Sequence, residues 1–308
     1  MDKLRKQIIK YFILCSFGIA TLTAMLNGLY DEIFHPDTIT DLPVLLAVIA
    51  SDLAIWALIY FVFALLFFVI VRRKIRKETQ RQMEEKNIFY ANIAHDLKTP
   101  ITSILGFSKA LKDGAVEESR REEIIDIIYE KSRQTDEMIN RLFHYSKLET
   151  DSYALSFEKL DVCATVRALV ADAYLQFEDA GIALRIEIPE DPIPVMLDIV
   201  EFSRAIGNLL ENARKHNTKG AEVFILVEEK SGVVRITIAD NGEPIEQDLA
   251  ERIFQPFVCG NESRSSQGGT GLGLAISRKI IEKHGGTLRL QPDCPGFTKA
   301  FVVEMKKN

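Results

Sequence analysis

The residues around His95 combine side-chain types that can carry out a group transfer. Asp96 follows His95 directly, and Thr99 and Pro100 come one turn later in a stretch with apolar residues at helical spacing. Imidazole is nucleophilic and largely neutral at physiological pH, and an adjacent carboxylate can fix its tautomer. A single histidine on a helix is more often a solvated residue. This combination instead predicts a nucleophilic His95 on a helix that is kinked at Pro100.

A glycine-rich stretch at residues 268–274, Gly-Gly-Thr-Gly-Leu-Gly-Leu, offers a site for a polyphosphate. Glycines let the backbone approach phosphate oxygens, and the helix predicted to begin here would supply amide donors. The spacing excludes a P-loop because no Gly-Lys-Ser/Thr is present, and it excludes the dinucleotide pattern because the third glycine is missing.

Two further stretches have side chains suited to a nucleotide and its metal. Asn208 and Asn212 are one helical turn apart and share a face, and Lys215 lies on the following turn. An amide oxygen is a ligand that Mg²⁺ accepts alongside phosphates and water. Asp240 ends a predicted strand and is followed by Gly242. Taken singly, a polar helix face and a turn after a strand explain these residues equally well.

Together, in this order, the stretches resemble the characteristic boxes of sensor histidine kinases. The residues around His95 resemble the phosphoacceptor box, and residues 208–216 resemble the N box. Residues 240–245, 253–257 and 268–274 resemble the Asp-Gly, Phe and G boxes. The resemblance covers roughly residues 85–305. The family usually has a second glycine where Pro244 stands, which affects the geometry of that loop.

The resemblance implies that His95 attacks the γ-phosphate of Mg·ATP and that the phosphoryl group then passes to an aspartate on a response regulator receiver domain. Asp96 would be the partner of His95, and Thr99 would hold the water that dephosphorylates the regulator. Asp240 would accept a hydrogen bond from the adenine amino group. Mg²⁺ would bind Asn212, with Asn208 as a second candidate. The implied nucleotide-binding residues are Asn208, Asn212, Lys215, His216, Asp240, Gly242, Phe254, Thr270, Gly271, Leu272 and Gly273.

Two alternatives to a kinase remain. Related ATPases of the same fold use a glutamate base where Asn208 stands, and Glu211 lies on a different face of the helix. The second alternative is a membrane pseudokinase or scaffold that binds ATP without transferring it, which Pro244 keeps open.

The elements that must position these residues differ before and after residue 150. Two amphipathic helices, to about residue 112 and from about 117 to 150, would form a hairpin, and a homodimer would complete a four-helix bundle. The remainder alternates strands and helices, which predicts a two-layer α/β sandwich. The resemblance implies that this sandwich is of the GHKL ATP-binding type. Its helices are predicted at 162–179, 199–215 and 272–284, and its strands at 182–188, 195–197, 222–227, 233–239, 288–290 and 301–303.

The N-terminal part predicts a membrane region. Runs at 11–30 and about 50–71 are each long enough to span a bilayer. The first is uncharged, and the second contains one charged residue, Asp52, which is either a functional candidate or an aspartate at the membrane interface. Lysines and arginines precede the first run and follow the second. The loop between the two runs, about 31–43, has only acidic charges. This asymmetry predicts two spans with both termini cytoplasmic. The resemblance implies that the membrane is the plasma membrane of a bacterium. A cleaved signal peptide is the alternative for the first run.

The predicted organisation is therefore multidomain, with a membrane sensor region at 1–71, a helical linker at 72–92, a dimerisation and phosphotransfer domain at 93–150 and an ATP-binding domain at 151–308. A loop this short cannot enclose a small-molecule ligand. The stimulus would arrive through the bilayer, through a companion membrane transporter or at the acidic loop. The net charge of -6 argues against a nucleic-acid partner, and the four scattered cysteines indicate neither zinc nor a disulfide framework.

Overall fold

The computed structural model describes residues 2–33, 41–150, 152–258, 270–292 and 294–307. The chain divides into two compact units, residues 1–88 and residues 89–308. Helix α1 (Asp2–Ile33) belongs to the first unit. Helix α2 (Leu42–Lys112) begins in the first unit and ends in the second.

In the first unit, α1 and α2 pack against each other through apolar groups. The rings of Phe12 and Phe67 lie 5.9 Å apart, and a Cβ at Gly18 would lie 3.9 Å from the ring of Phe63. Because residue numbers rise along one helix as they fall along the other, the two helices are antiparallel. Each helix contains a stretch that is long and apolar enough to cross a membrane, and neither stretch is buried.

Two expectations for the first unit concern residues that the structure does not describe. Most of the predicted outer loop, residues 34–40, lies outside the described residues. The side chain of Asp52 is also outside them, although its backbone belongs to α2. The proposed roles of both therefore stay predictions.

In the second unit, α2 and α3 (Arg121–Glu149) form the predicted helical hairpin. Helix α2 continues through Pro100 and ends at Lys112, as predicted. Gly114 then adopts a φ of 68°, a conformation that glycine reaches without the steric cost of a Cβ. A short 3₁₀ turn, Glu118–Arg120, leads into α3 one turn later than predicted.

The remaining elements form a five-stranded sheet covered on one face by helices, and a separate two-stranded sheet. They are β1 (Glu158–Asp161), α4 (Val162–Asp179), β2 (Ala183–Glu187), β3 (Pro194–Leu197), α5 (Ile199–Lys215), β4 (Glu222–Lys230), β5 (Val233–Asp240), α6 (Gln247–Ala250), α7 (Gly273–Lys283), β6 (Thr287–Pro292) and β7 (Lys299–Lys306). The five-stranded sheet has the order β2-β4-β5-β7-β6, in which only β2 and β4 pair in parallel. This confirms the predicted α/β sandwich.

Alternation along the strands places the core between the sheet and the helices. Ile236 and Ile238 of β5 and Val303 of β7 are buried in one cluster with apolar residues of α4, α5 and α7. The intervening residues, such as Ala239 and Val302, form a small cluster on the opposite face. This period of two fixes which strand residues face the helices and which face away.

Two elements were missed by the sequence prediction. Strand β1 pairs antiparallel with β3 in a separate two-stranded sheet, and α6 is a single helical turn. The sequence of β1, Glu-Lys-Leu-Asp, has no alternating apolar pattern, and its exposure gives no buried face. Such a strand is formed by its partner rather than by its own propensity.

Candidate phosphotransfer and nucleotide sites

The imidazole of His95 is oriented by the carboxylate beside it. His95 Nδ1 lies 3.1 Å from Asp96 Oδ1, and the two side chains are 82% and 43% exposed. A carboxylate can only accept, so the proton of the neutral ring lies on Nδ1 and the lone pair on Nε2. The structure thus presents a nucleophilic nitrogen on an exposed side chain.

The hydroxyl of Thr99 lies one turn from His95 on the same helix face. Thr99 Oγ1 donates to the carbonyl oxygen of His95 at 3.4 Å, and Ser103 Oγ donates to that of Thr99 at 3.2 Å. Pro100 supplies no amide to the carbonyl of Asp96. The helix around His95 therefore has side-chain hydroxyls close to its exposed carbonyl groups.

The hairpin has one buried apolar side and one exposed apolar side. Phe89, Ile93 and Leu97 of α2 pack against the core of the second unit. Other large apolar side chains of the hairpin are exposed, namely Ile101, Leu105, Ile125, Tyr129 and Phe143. An exposed apolar surface of this kind indicates an association site.

Helix α5 positions the two asparagines and begins at a capped N-terminus. Asp198 accepts hydrogen bonds from the amides of Val200 and Glu201 at 3.1 Å each, and from that of Ser156 at 2.9 Å. Burial alone would raise the pKa of Asp198, but these amide hydrogen bonds outweigh it and lower that pKa. The cap thus fixes where α5 begins and, through the helix, where Asn208 and Asn212 lie.

The polar face of α5 meets the N-terminus of α7. Asn208 Nδ2 donates to the carbonyl oxygen of Gly273 at 3.3 Å. Asn212 lies one turn further along and is partly exposed. Among the described residues, no group of three His, Cys, Asp or Glu side chains could hold a metal ion. A metal on this face would therefore be held by an amide oxygen and by ligands from a bound nucleotide.

Glu211, the candidate base of the ATPase alternative, is fully engaged in ion pairs. Its carboxylate lies 2.8 Å from Arg214 and 3.1 Å from Lys215. Burial alone would raise the pKa of Glu211, but hydrogen bonds from these two cations outweigh it and lower that pKa. A carboxylate held in its ionised form by two cations is a weak base for activating water.

Asp240 ends β5 in a buried corner, with Lys299 of β7 directly opposite in the strand register. Lys299 Nζ lies 2.7 Å from Asp240 Oδ1, and the amide of Gly242 donates to the same oxygen at 3.1 Å. Asp240 is 1% exposed and Lys299 4%. The predicted adenine-binding carboxylate is therefore ion-paired and aimed by its neighbours.

A side chain at position 242 would have to displace Asn217, which occupies the space beside Gly242. A Cβ at this position would lie 1.8 Å from Asn217 Oδ1. Asn217 Nδ2 donates to the carbonyl oxygen of Ala213 at 2.7 Å, but its buried Oδ1 has no hydrogen-bond partner among the described residues. The close approach of Asn217 therefore favours glycine at this position, in addition to the role in nucleotide binding that the sequence predicts for Gly242.

His216, at the end of α5, faces the same corner. The surrounding protein lowers the pKa of its imidazole, the charges of Lys299 and Lys215 lower it further, and the charge of Asp240 opposes them. The ring is therefore neutral at physiological pH and can act as a hydrogen-bonding or stacking group rather than as a cation.

The described part of the glycine-rich stretch begins at Thr270, so Gly268 and Gly269 lie outside the described residues. Thr270 Oγ1 accepts from the amide of Leu272 at 3.4 Å, and α7 begins at Gly273. Gly271 has a φ of 63° and accepts a hydrogen bond from the amide of Phe257 at 3.0 Å. The helix N-terminus predicted for phosphate binding is thus present.

The two aromatic residues of the predicted Phe box have different surroundings. Phe254 lies against Phe301, with 6.2 Å between the ring centroids, and the guanidinium of Arg278 lies 5.4 Å from its ring centre. Phe257 is buried, has a φ of 62° and packs 5.3 Å from the ring of Phe89 on α2. Phe254 therefore belongs to the sandwich, whereas Phe257 contacts the hairpin.

A buried polar cluster joins the end of α3 to the sandwich. Glu201 of α5 accepts from the hydroxyl of Tyr153 at 2.7 Å and lies 2.9 Å from Nε2 of His144. The hydrogen bond to Glu201, followed by burial, raises the pKa of Tyr153 to about 12. Lys279 of α7 also pairs with Glu149 at 2.7 Å. These contacts define a docking surface for the hairpin on the sandwich.

Three residues near the corner around Asp240 were missed by the sequence prediction, namely Asn217, Thr298 and Lys299. Asn217 follows the N-box residues directly, which is a usable signal. Thr298 Oγ1 lies 3.0 Å from the carbonyl oxygen of Asp240 and 2.7 Å from that of Gly242. Thr298 and Lys299 come from a distant part of the chain, so only the sheet register places them beside Asp240.

Comparisons with known protein families agree with this geometry. Residues 85–151 match the His Kinase A (phospho-acceptor) domain. Residues 197–308 match the histidine kinase-, DNA gyrase B- and HSP90-like ATPase family. The first match contains His95, and the second contains Asn212, Asp240 and Gly271.

Relatives with similar sequences are described as sensor proteins. The chain is 32% identical over 210 residues to the sensor protein GtcS of Aneurinibacillus migulanus, a match that covers 68% of this chain and 56% of the relative. It is 29% identical over 217 residues to the sensor histidine kinase YvrG of Bacillus subtilis, covering 70% of this chain and 37% of the relative. The match therefore spans about half, or less, of these two relatives.

Solved structures share the fold. The histidine kinase AdeS of Acinetobacter baumannii gives a TM-score of 0.57 at 23% identity, covering 70% of this chain and 98% of that chain. The histidine kinase ThkA, solved in complex with the response regulator protein TrrA, gives a TM-score of 0.60 at 23% identity, covering 77% of this chain and 66% of that chain.

Proposed function

The chain belongs to the histidine kinase family, and we propose that it is a membrane-bound sensor kinase that phosphorylates its own His95 from Mg·ATP. The observation that carries this proposal is the pairing of His95 with Asp96, which leaves Nε2 as the nucleophilic nitrogen of an exposed ring. An exposed acceptor is required because the γ-phosphate must reach it from a nucleotide bound on a separate sandwich.

In the proposed reaction, Nε2 of His95 forms a bond to the γ-phosphorus of ATP. The bond from that phosphorus to the bridging oxygen breaks, and ADP leaves with the electron pair. The ring becomes positively charged, and Asp96 stabilises this charge through the hydrogen bond that it accepts from Nδ1. The sandwich contributes by positioning the nucleotide and by stabilising its charge.

The residues present fit an adenine nucleotide. Asp240 supplies a buried carboxylate for the adenine amino group, and Gly242 keeps the approach free of a Cβ. Thr270, Gly271, Leu272 and Gly273 lead into the N-terminus of α7, which favours phosphate. Mg²⁺ bound with ATP would be held by Asn212, with Asn208 as a second candidate, and would neutralise phosphate charge. Lys215, His216 and Phe254 complete the proposed site.

We further propose that the phosphoryl group passes from His95 to an aspartate of a response regulator. The histidine kinase ThkA, which shares the fold, forms a complex with the response regulator protein TrrA. Thr99 would hold the water that hydrolyses the phosphorylated regulator, since its hydroxyl lies one turn from His95. The domain boundaries proposed for these steps are 93–150 for phosphotransfer and 151–308 for ATP binding.

A homodimer is proposed from the unpartnered side of the hairpin. Leu105, Tyr129 and Phe143 are each more than half exposed on α2 and α3. A second hairpin would cover them and complete a four-helix bundle, because two helices alone bury too little apolar surface.

The membrane assignment is proposed from α1 and α2. Their apolar stretches are unburied, and their antiparallel contacts place the two basic ends on the same side. The hydroxyls of Thr21 and Thr23 donate to backbone carbonyls of α1, which satisfies them without water. Both termini would be cytoplasmic, and the stimulus would reach the kinase through the bilayer, the short loop or a companion transporter.

Incubation of the full chain with γ-labelled ATP tests the proposed function. A kinase gives acid-labile, alkali-stable label on the protein, an ATPase releases labelled phosphate without labelling the protein, and a pseudokinase does neither. We expect labelled protein. Free phosphate from unlabelled protein would favour the ATPase, although the ion pairs of Glu211 argue against it.

Insertions in the helical linker test how the membrane region controls the kinase. One residue inserted between Ile75 and Phe89 rotates the following helix by about 100°, whereas seven residues add close to two turns. We expect one insertion to lock the kinase on or off and seven to restore regulation. Equal regulation at every insertion length would contradict rigid helical coupling.

A further inference from the structure

We infer that Lys299 is the positioning residue that prepares Asp240 to recognise the amino group of adenine. The inference rests on the proposed ATP-dependent function and adds a residue that determines the preference for adenine. Lys299 lies on β7, far in sequence from the motifs that indicate nucleotide binding.

The first step is the geometry of the ion pair. Lys299 stands opposite Asp240 in the antiparallel register of β5 and β7, so the strands themselves hold the two side chains together. Its Nζ lies 2.7 Å from Asp240 Oδ1. Both residues are almost completely buried, so water does not weaken the interaction.

The second step concerns which carboxylate oxygen is left for a ligand. The amide of Gly242 and Nζ of Lys299 both lie at Oδ1 of Asp240. No hydrogen bond to Oδ2 is found among the described residues. With Oδ1 held from two directions, the carboxylate cannot rotate freely, and Oδ2 keeps its capacity to accept from an amino group.

The third step concerns the loop that follows Asp240. Nζ of Lys299 also donates to the carbonyl oxygen of Glu243 at 2.6 Å, and Thr298 Oγ1 lies 2.7 Å from the carbonyl oxygen of Gly242. Pro244 follows directly and fixes its own φ. Lys299 therefore joins the carboxylate to the loop containing Pro244, the position at which this sequence departs from its family.

The fourth step concerns the charge. A buried carboxylate without a partner is strongly disfavoured, and one paired with a cation keeps its charge for accepting hydrogen bonds. Lysine brings a positive charge and three hydrogen-bond donors from the neighbouring strand. Methionine matches the length of its stem but has neither the charge nor the donors.

The test compares two nucleotides on the full chain in detergent. ATP has the 6-amino group, and purine riboside triphosphate is the same molecule without it. Dissociation constants for both are measured for the wild type, Lys299→Met and Lys299→Arg. Lys307→Met is the matched control, since Lys307 is a lysine just beyond β7 that pairs with Glu229 at 2.7 Å in a more exposed position.

We expect Lys299→Met to weaken ATP binding about tenfold, the loss of one hydrogen bond to a charged group, and to change binding of the analogue less than about twofold. Lys299→Arg keeps the charge and should retain part of the preference for ATP. Lys307→Met should leave both constants unchanged. If Lys299→Met does not fold, a reduced ATP preference in Lys299→Arg supports the inference, and an unchanged preference overturns it.

Three outcomes separate the inference from the proposed function. Equal weakening of both nucleotides by Lys299→Met would make Lys299 merely structural, and unchanged binding of both would remove its role. Either result overturns the inference but does not contradict the proposed ATP-dependent function. A wild type that binds neither nucleotide would instead overturn the proposed function.

Discussion

The surroundings of His95 and the corner around Asp240 differ in how exposed and how tightly held the side chain is. His95 is 82% exposed and contacts only its own helix among the contacts found in the described residues. Asp240 is 1% exposed and is held by groups from two strands and a loop. In the proposed function, the first group must be reachable by different partners, whereas the second must hold one orientation for one ligand.

Because of this difference, substitutions in the two regions should affect the reaction and the stability of the fold differently. A substitution at an exposed residue with few contacts changes the reaction while the fold remains, because little packing is lost. A substitution in the buried corner removes a partner from a desolvated charge and changes both. The comparison predicts which variants will be inactive but folded, and the following experiments test it from the largest expected effect to the smallest.

The largest effect is expected for His95→Gln. Labelling from ATP should fall to background, while the dissociation constant for ATP and the unfolding temperature stay at their wild-type values, because the residue is exposed. Lys98→Gln, an exposed change on the next turn, is the control and should label normally. Label that persists in His95→Gln would place the acceptor elsewhere and would contradict the role proposed for His95.

A second pair of variants separates the two activities. Asn212→Ala should reduce autophosphorylation roughly hundredfold, the scale of losing one charge-stabilising group, and should spare dephosphorylation of the regulator. Thr99→Ala should keep autophosphorylation and lose that dephosphorylation. Autophosphorylation is measured as label on the protein alone, and dephosphorylation as loss of label from the phosphorylated regulator. Normal dephosphorylation by Thr99→Ala would remove the role proposed for its hydroxyl.

The buried cluster of Glu201 should resemble the Asp240 corner in its effect on stability. Glu201→Ala leaves the hydroxyl of Tyr153 and the imidazole of His144 without their partner, so the free energy of unfolding should fall by about 1–3 kcal/mol. Denaturant titration measures this value. Glu190→Ala, an exposed control, should cost less than about 0.5 kcal/mol. Equal effects from the two variants would show that burial does not govern the difference.

The smallest effect is expected at the cap of α5. Asp198→Ala should cost about 1–2 kcal/mol near neutral pH because three amides lose their acceptor. The pKa of Asp198 is lowered in the folded state, so its contribution is complete above the unfolded pKa of about 3.9 and is lost as pH falls through the folded pKa.

The measurement for this prediction is the difference in stability between wild type and Asp198→Ala as a function of pH. The difference should be constant above about pH 5 and should shrink as the pH falls below about 4. Asp172→Ala, an exposed change on α4, provides the control. A difference that stays constant in acid would show that the carboxylate charge does not stabilise the cap.

The sequence predicted the elements whose signals are local. Helices α4 and α5 were predicted with both ends correct, because each begins after a capping aspartate, Asp161 or Asp198, and continues with apolar residues at helical spacing. The end of α2 near residue 112 was also predicted, and Gly114 follows it with a φ of 68°. His95 and Asn212 therefore lie on the helices on which the sequence placed them.

What the sequence could not predict depends on residues that are far apart along the chain. The ion pair of Lys299 with Asp240 follows from the register between β5 and β7, which no local pattern encodes. Strand β1 exists because β3 pairs with it, and the position of Tyr153 against Glu201 follows from how α3 meets α5. Such contacts require the packed structure.

The position of β7 in the sheet also determines when the corner around Asp240 can form during synthesis. Strand β7 lies between β5 and β6, so the sheet has a gap until residues 299–306 have been made. Thr298 and Lys299, which hold Asp240, leave the ribosome with that strand. Long-range strand pairing is slow because distant segments must first meet. We therefore expect α1 and α2 to leave the ribosome before the corner around Asp240 can form.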